Sequence, residues 1–152
     1  MSNLFIGTKQ IKAVPMTRLV YNQYRGWPLP EDENGEDDGY LVEYMDGGKP
    51  NHEKHEGYIS WSPAEQFKNA YQNTAVSMSF GHAIEMMKAG HKVARQGWNG
   101  KGMHIYLNKN EGRAFTNEEI EPCFCMFTAQ GKHQPGWLAS QADMLAVDWV
   151  VV

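Results

Sequence analysis

The sequence predicts an α+β fold: a small antiparallel sheet packed with short helices and built as two small modules. Three observations lead there. Apolar residues recur at helical spacing in some windows and alternate in others, and every such window is short. The chain has 152 residues, close to the length of about 150 expected for one domain. Its charge is also unevenly divided. Residues 1–73 carry seven Lys plus Arg against eleven Asp plus Glu, net −4, whereas residues 74–152 carry seven of each. The uncharged stretch Asn73-Thr74-Ala75-Val76-Ser77 separates one helical pattern from the next. It places a boundary between an acidic module, 1–73, and a neutral one, 74–152. Cores of this size supply roughly 3–5 kcal/mol each, so oligomerisation is expected.

The elements follow in order. Phe5 to Val14 alternates as a strand, and Pro15 to Arg25 suits a short helix carrying Leu19, Val20 and Tyr24. Pro28 to Gly39 holds two prolines, two glycines and six acidic residues and reads as a solvated loop. A calcium loop is a poor match, because counting from Asp32 the glycine comes at position 4 instead of 6. Tyr40–Tyr44 and Gly57–Trp61 are strands joined through Asp46-Gly47-Gly48 and a His-rich loop. Ser62-Pro63-Ala64-Glu65 then predicts a helix start, with Ser as N-cap, Pro at the first position and Glu closing a capping box. That helix carries Phe67, Ala70 and Tyr71. In the second module, Ser79 caps a helix whose Phe80, Ala83, Ile84 and Met87 fall at i, i+3, i+4 and i+7, and Gly90 stops it. Strands are expected at Lys92–Gln96, Met103–Leu107, Cys123–Ala129 and Trp149–Val152, with a short helix from Ser140 to Ala146.

Composition bounds the function. A net charge of −4 and a pI near 5.8 exclude a generic polyanion binder, so a nucleic-acid polymer is not the expected partner. Hydrophobic residues at 41% and aromatics at 12% exclude a disordered chain. The N-terminus shows no basic region leading into an apolar one, and no apolar run approaches 18 residues. A soluble cytoplasmic protein with no membrane partner is expected. Cys123 and Cys125 share one side of a strand, where a disulfide has unsuitable geometry, so they read as reduced thiols packed in the core.

Several patterns invite chemical readings. His52 and His55 stand three apart in a Gly- and Pro-flanked segment, whereas a zinc-protease helix needs i and i+4, which favours a polar surface loop over a metal site. Gly97-Trp98-Asn99-Gly100-Lys101-Gly102-Met103 lacks the Ser or Thr of a phosphate loop, and Asn99-Gly100 is a strong hairpin signal. Yet a Trp at a turn is costly to leave bare, and Lys88, Lys92, Arg95 and Lys101 form a positive strip around it. Either a solvated hairpin with a core Trp or a site for an anionic, aromatic ligand fits. Ser140 and Asp143 make a capping pair, and the same helix start suits a ligand phosphate or ribose hydroxyl. Nothing in the spacing assembles a nucleophile with a base, and no cofactor is expected.

Two blocks carry a family resemblance: ARQGWNGKGM, Ala94 to Met103, and WLASQADMLAVDW, Trp137 to Trp149. Through them residues 78–152 closely resemble the second type of Thoeris anti-defence protein, a phage-encoded family. The resemblance implies a homotetrameric, non-enzymatic sponge that sequesters a small-molecule signalling nucleotide in the bacterial host cytoplasm. The implied ligand is a glycocyclic ADP-ribose, with cyclic dinucleotides in separate pockets of some members. Trp98 and Trp137 would wall the adenine, with Asn99, Arg95, Ser140, Asp143 and Asp148 as polar contacts. Here Gly136 intervenes between Pro135 and Trp137, where the family commonly has Pro directly before Trp, and Val147 replaces a polar or acidic residue. A nucleotide-signal hydrolase and a protein-interaction adaptor without a small ligand are the alternatives. Residues 1–73 resemble an accessory module of phage proteins, with Trp27 and Trp61 expected in its core.

Overall fold

The structure is a computed structural model that describes residues 1–98, 100, 102–109 and 121–152. The chain divides into two compact units, Met1–Tyr71 and Gln72–Val152. Among the described residues each contains one antiparallel sheet, of three and five strands, and there are four helices, all short. This is the small α+β architecture expected.

In the first unit, β1 (Ile11–Pro15), α1 (Arg18–Arg25), β2 (Gly39–Tyr44), β3 (Ile59–Pro63) and α2 (Ala64–Ala70) follow in order, and the sheet runs β1-β2-β3. β1 begins six residues later than the alternation from Phe5 suggests. Its first pair is Ile11 with Tyr44, where β2 ends, so the preceding residues have no strand to bond to. Leu4, Phe5 and Ile6 are exposed. Thr17 caps α1, and Gly26 closes it in the left-handed conformation, φ 70°, that glycine adopts without a Cβ penalty. Tyr21 and Asn22 are the buried residues of α1, while Leu19 and Val20 face outward.

The acidic 28–39 loop folds back on α1. Gly35 and Asp37 carbonyls accept from the Leu19 and Arg18 amides, and Arg18 pairs with Glu33 at 3.0 Å and Asp37 at 3.5 Å. Backbone carbonyls therefore satisfy donors that a helix start leaves open. The predicted Ser62 cap does not form. Ser62 pairs with Tyr40 inside β3, and Pro63 occupies the N-cap with no side-chain bond, because sheet pairing claims the residue that capping would need. Phe67 of α2 instead stacks on Tyr40, 3.9 Å between centroids. Trp61 is half-buried and donates to the Met16 carbonyl at 2.8 Å. Trp27 is not in the core: it is 51% exposed.

The buried cluster here is small, Tyr21, Leu41 and Ile59, and polar pins supplement it. His55 bridges the Tyr24 hydroxyl and the Glu43 carboxylate, each at 2.9 Å, and His52 stacks on Tyr24. Glu43 also accepts from the Glu56 and Gly57 amides at 3.0 Å. The hydrogen bond from His55, then that from the Gly57 amide, holds its carboxyl below the usual range.

The second unit contains α3 (Phe80–Lys88), β4 (Val93–Arg95), β5 (His104–Asn108), β6 (Cys123–Phe127), β7 (His133–Pro135), α4 (Gln141–Leu145) and β8 (Trp149–Val151), with sheet order β7-β6-β5-β4-β8. Ser79 caps α3 as expected, its Oγ accepting from His82 N. α3 covers one face of the sheet, where Met78, Ala83, Met86, Met87, Val93, Ile105 and Trp149 form the core. Three of these are methionines, whose flexible thioethers fill irregular space beside a large indole. β7 was not legible as a strand. It is a three-residue edge holding Pro135, and an edge is where a sheet tolerates a residue without an amide hydrogen. Cys123 and Cys125 are free, with sulfurs 3.8 Å apart.

A Cβ on Gly57 would meet the Tyr44 carbonyl oxygen, a backbone atom that cannot swing aside. Gly57→Ala is expected to destabilise the first unit by about 1–3 kcal/mol. Urea unfolding followed by near-ultraviolet dichroism measures this, and an unchanged midpoint would contradict the tight approach.

Candidate functional site

Arg95 ends β4, and its partner across the sheet is Trp149, the first residue of β8. This pairing sets the guanidinium beside Asp148. Nε donates to Oδ1 at 2.8 Å and Nη2 to Oδ2 at 3.4 Å, the two-pronged geometry that matches a guanidinium to a carboxylate. Nη1 donates to Asp143 Oδ1 of α4 at 3.1 Å. Asp143 is also half of a capping box. Its Oδ2 accepts from Ser140 N at 3.0 Å and Ser140 Oγ at 2.7 Å, while Ser140 Oγ accepts from Asp143 N at 3.1 Å. Four of the sequence-selected residues, Arg95, Ser140, Asp143 and Asp148, therefore form one bonded network.

The electrostatics follow from that network. Hydrogen bonds to Asp148 and then Asp143 raise the Arg95 pKa. The Arg95 hydrogen bond lowers that of Asp148. For Asp143, burial pushes upward, but the Ser140 side chain and amide together with Arg95 outweigh it, and the net shift is downward. One cation faces two carboxylates. The positive strip read from the sequence is neutralised at Arg95, and also at Lys88, which pairs with Glu85 at 2.8 Å. Asn99 and Lys101 lie outside the described residues.

Next to the network stands an aromatic corner. Trp98, whose amide donates to the Arg95 carbonyl at 3.2 Å, is half-buried and packs edge-on against Trp149, 5.4 Å and 77°. Trp137 meets Trp98 at 6.4 Å and 70°, and Trp149 at 6.2 Å and 77°. Phe80, at the start of α3, completes the group at 5.4 Å from Trp149. Trp149 was not singled out from the sequence, although it closes the second block. It is fully buried, and its Nε1 donates to the Asp143 carbonyl at 3.0 Å, which joins corner to network. Trp98 and Trp137 touch edge to face. A ring sandwiched between parallel faces needs about 7 Å, twice the contact distance. The corner offers a ligand one face at a time.

Gly136 determines how Trp137 arrives there. Both Gly136 N and Trp137 N donate to the Phe124 carbonyl, at 3.0 and 2.9 Å, and Gly136 has φ 78°. Two residues oppose one, which is a glycine bulge. Phe124 lies on the α3 side of the sheet, and Trp137 joins it against the core there. The extra residue between Pro135 and Trp137 is absorbed without moving the indole to the other face.

The two sequence blocks are thus brought together in space: Arg95 and Trp98 from the first meet Asp143, Asp148, Trp137 and Trp149 from the second. Residues 78–152 match the Thoeris anti-defense 2-like domain. The chain is also 40% identical over 85 residues to Thoeris anti-defense 2 of Bacillus phage SP01, a match covering 49% of this chain and 94% of that protein.

Arg95→Gln tests the network. Carboxylates with lowered pKa contribute stability that is fully present above their unfolded value, about 4, and is lost as pH falls through the folded value. The variant is expected to unfold more easily than the parent at neutral pH, with the gap narrowing below about pH 4. Urea midpoints at neutral and acid pH measure it, and a gap independent of pH would contradict the ion pairing.

Proposed function

This chain belongs to the Thoeris anti-defense 2 family, an anti-defence family, and we propose that it acts by sequestering a cyclic nucleotide immune signal without cleaving it. The observation that carries this reading is the convergence of the two blocks on one aromatic corner beside one hydrogen-bonding network. Trp98 and Trp137 stack on or wall the base. Asp143 and Asp148 accept hydrogen bonds from ribose hydroxyls or an exocyclic amine, and Ser140 and Asn99 add polar contacts. Arg95 orients both carboxylates through three of its five N–H groups, and two remain to reach a ligand oxygen. Glycocyclic ADP-ribose is the leading ligand, with cyclic dinucleotides as a second class.

The magnitudes are compatible with tight retention. Stacking on an aromatic contributes about 1–3 kcal/mol per base, and nanomolar affinity requires about 12. Hydrogen bonds to charged groups, at about 1.5–3 kcal/mol each, supply the balance. A sponge requires no transition-state stabilisation, so binding groups without a nucleophile suffice.

Assembly into a homotetramer, with pockets completed between subunits, belongs to the same proposal. Leu138, Leu145 and Val147 in the second block are 89%, 80% and 68% exposed, which is unfavourable for a lone subunit. The site of action is the bacterial host cytoplasm. Among the described residues no helix is long and apolar enough to cross a membrane.

The test is direct. The protein is incubated with glycocyclic ADP-ribose isomers and cyclic dinucleotides, freed of unbound material, heat-denatured, and the released compounds are identified by mass spectrometry. Intact ligand is the expected result. Altered ligand would make it a hydrolase, and no retained ligand would leave the adaptor reading. Trp98→Ala and Trp137→Ala should each weaken retention about 5- to 150-fold. Melting temperature separates that loss from unfolding, and Trp→Phe at each position keeps the packing. Light scattering is expected to show a tetramer that Leu145→Glu reduces to smaller species; a monomeric parent would contradict the assembly.

A further inference from the structure

The first unit contains an open cleft of about 430 Å³, within the volume range of small-molecule sites. It lies between α1, β3 and the segment after Gly26, and four features of its lining point to a ligand. Asn22 lines the cleft, and its side-chain amide makes no hydrogen bond to the described residues and stays open to whatever fills the cleft. An amide that the chain leaves open toward a cleft offers both a donor and an acceptor to a ligand there. Arg25 is half-buried and has no carboxylate within ion-pair distance among the described residues. One of its Nη groups donates to the Tyr21 hydroxyl at 3.3 Å, and its guanidinium lies 4.2 Å from the Trp27 ring centre. Arg18, also in the lining, is ion-paired with Glu33 and Asp37, although its buried Nε makes no hydrogen bond to the described residues. Finally, Trp27 and Tyr58 line the cleft with 51% and 47% of their surface exposed.

These groups are complementary to one chemical class. A guanidinium fork whose remaining donors are open suits a planar or tetrahedral oxyanion. Two half-exposed aromatic rings suit a flat ring, and a single amide offers a donor and an acceptor to its edge. We propose that this cleft binds a small planar organic oxyanion, a ring carrying a carboxylate or phosphate, held by Arg25 and Asn22 against Trp27 and Tyr58. The site is built wholly from residues of the first unit and does not depend on the function proposed for residues 78–152. Its cation sits within an acidic module of net −4, so a small oxyanion at Arg25 meets local attraction amid long-range repulsion. Polyanions are disfavoured, and the ligand is small.

The full chain, labelled with nitrogen-15, is titrated with adenosine 5′-monophosphate and with indole-3-acetate, which present the phosphate and carboxylate forms of this chemistry. Inorganic phosphate supplies the anion alone and adenosine the ring alone. At least one ring-bearing anion is expected to shift the Trp27 and Trp61 indole and Asn22 amide signals saturably. Arg25→Gln should weaken that binding about tenfold or more. Asn22→Leu should weaken it about tenfold while leaving thermal stability unchanged or higher, since it removes an unpaired amide and leaves no partner stranded. A merely structural Asn22 would instead lower the melting temperature. Should Arg25→Gln fail to fold, Asn22→Leu carries the test. No saturable shift by either ring-bearing anion up to about 1 mM overturns the proposal. So does equal binding of inorganic phosphate, or undiminished binding in the variants. Shifts confined to Trp98 and Trp137 would overturn it too, while leaving the sequestration reading intact.

Discussion

The second unit depends on one guanidinium. Arg95 sits where β4 ends, and its bonds to Asp148 and Asp143 fix two segments that no strand pairing holds: the turn before β8 and the short helix α4. α4 is five residues long, far below the length at which a helix persists by itself. Its capping box and the pull of Arg95 on the same Asp143 side chain define it. The Asp143 carbonyl then receives the Trp149 indole, and the Arg95 carbonyl receives the Trp98 amide. Side chain and backbone of two residues thus position both the carboxylates and the rings. Removing the cation would leave two carboxylates close together with nothing between them, which explains why the site and the stability of this unit are inseparable.

What could be read in the sequence was what local rules determine. α3 announced itself by a Ser cap and a helical apolar stripe, and the capping box of α4 by a Ser and an Asp three apart. Where a second rule competed, the local signal failed. Ser62 had the credentials of an N-cap but was taken by its strand partner Tyr40, and the alternation from Phe5 lacked a facing strand before Ile11. The Arg95 network was invisible for a different reason. Its carboxylates are 48 and 53 residues away, so Arg95 reads as part of a positive strip in the sequence while the fold pairs it with two acids. The two blocks could be matched to a family without revealing that they touch. Trp149 was overlooked because a Trp in a C-terminal strand reads as packing, and packing is also what it does.

The first unit solves its stability problem otherwise. Three residues make its buried cluster, and polar geometry adds to the order: Glu43 gathering an imidazole and two amides, Asn51 exchanging two bonds with Ile59, and carbonyls of the acidic loop meeting the start of α1. The carboxylates counted as a solvated excess are partly internal partners, since Glu33 and Asp37 face Arg18. Where the second unit concentrates its apolar surface behind α3, this one distributes its constraints over a surface network. Arg25, half-buried against Trp27, takes no carboxylate from that network.

The bulge at Gly136 bears on how such a protein tolerates change in length. A strand has a parity of two, and inserting one codon ordinarily turns every later side chain inside out. A glycine able to take positive φ cancels that inversion on the spot, since two consecutive amides share one carbonyl and the count resumes as though nothing had been added. The step from Pro135 to Trp137 can therefore lengthen by a residue while the indole keeps its side of the sheet. In this chain the β7 edge works as a splice point: genetic drift in length upstream is decoupled from the aromatic surface downstream.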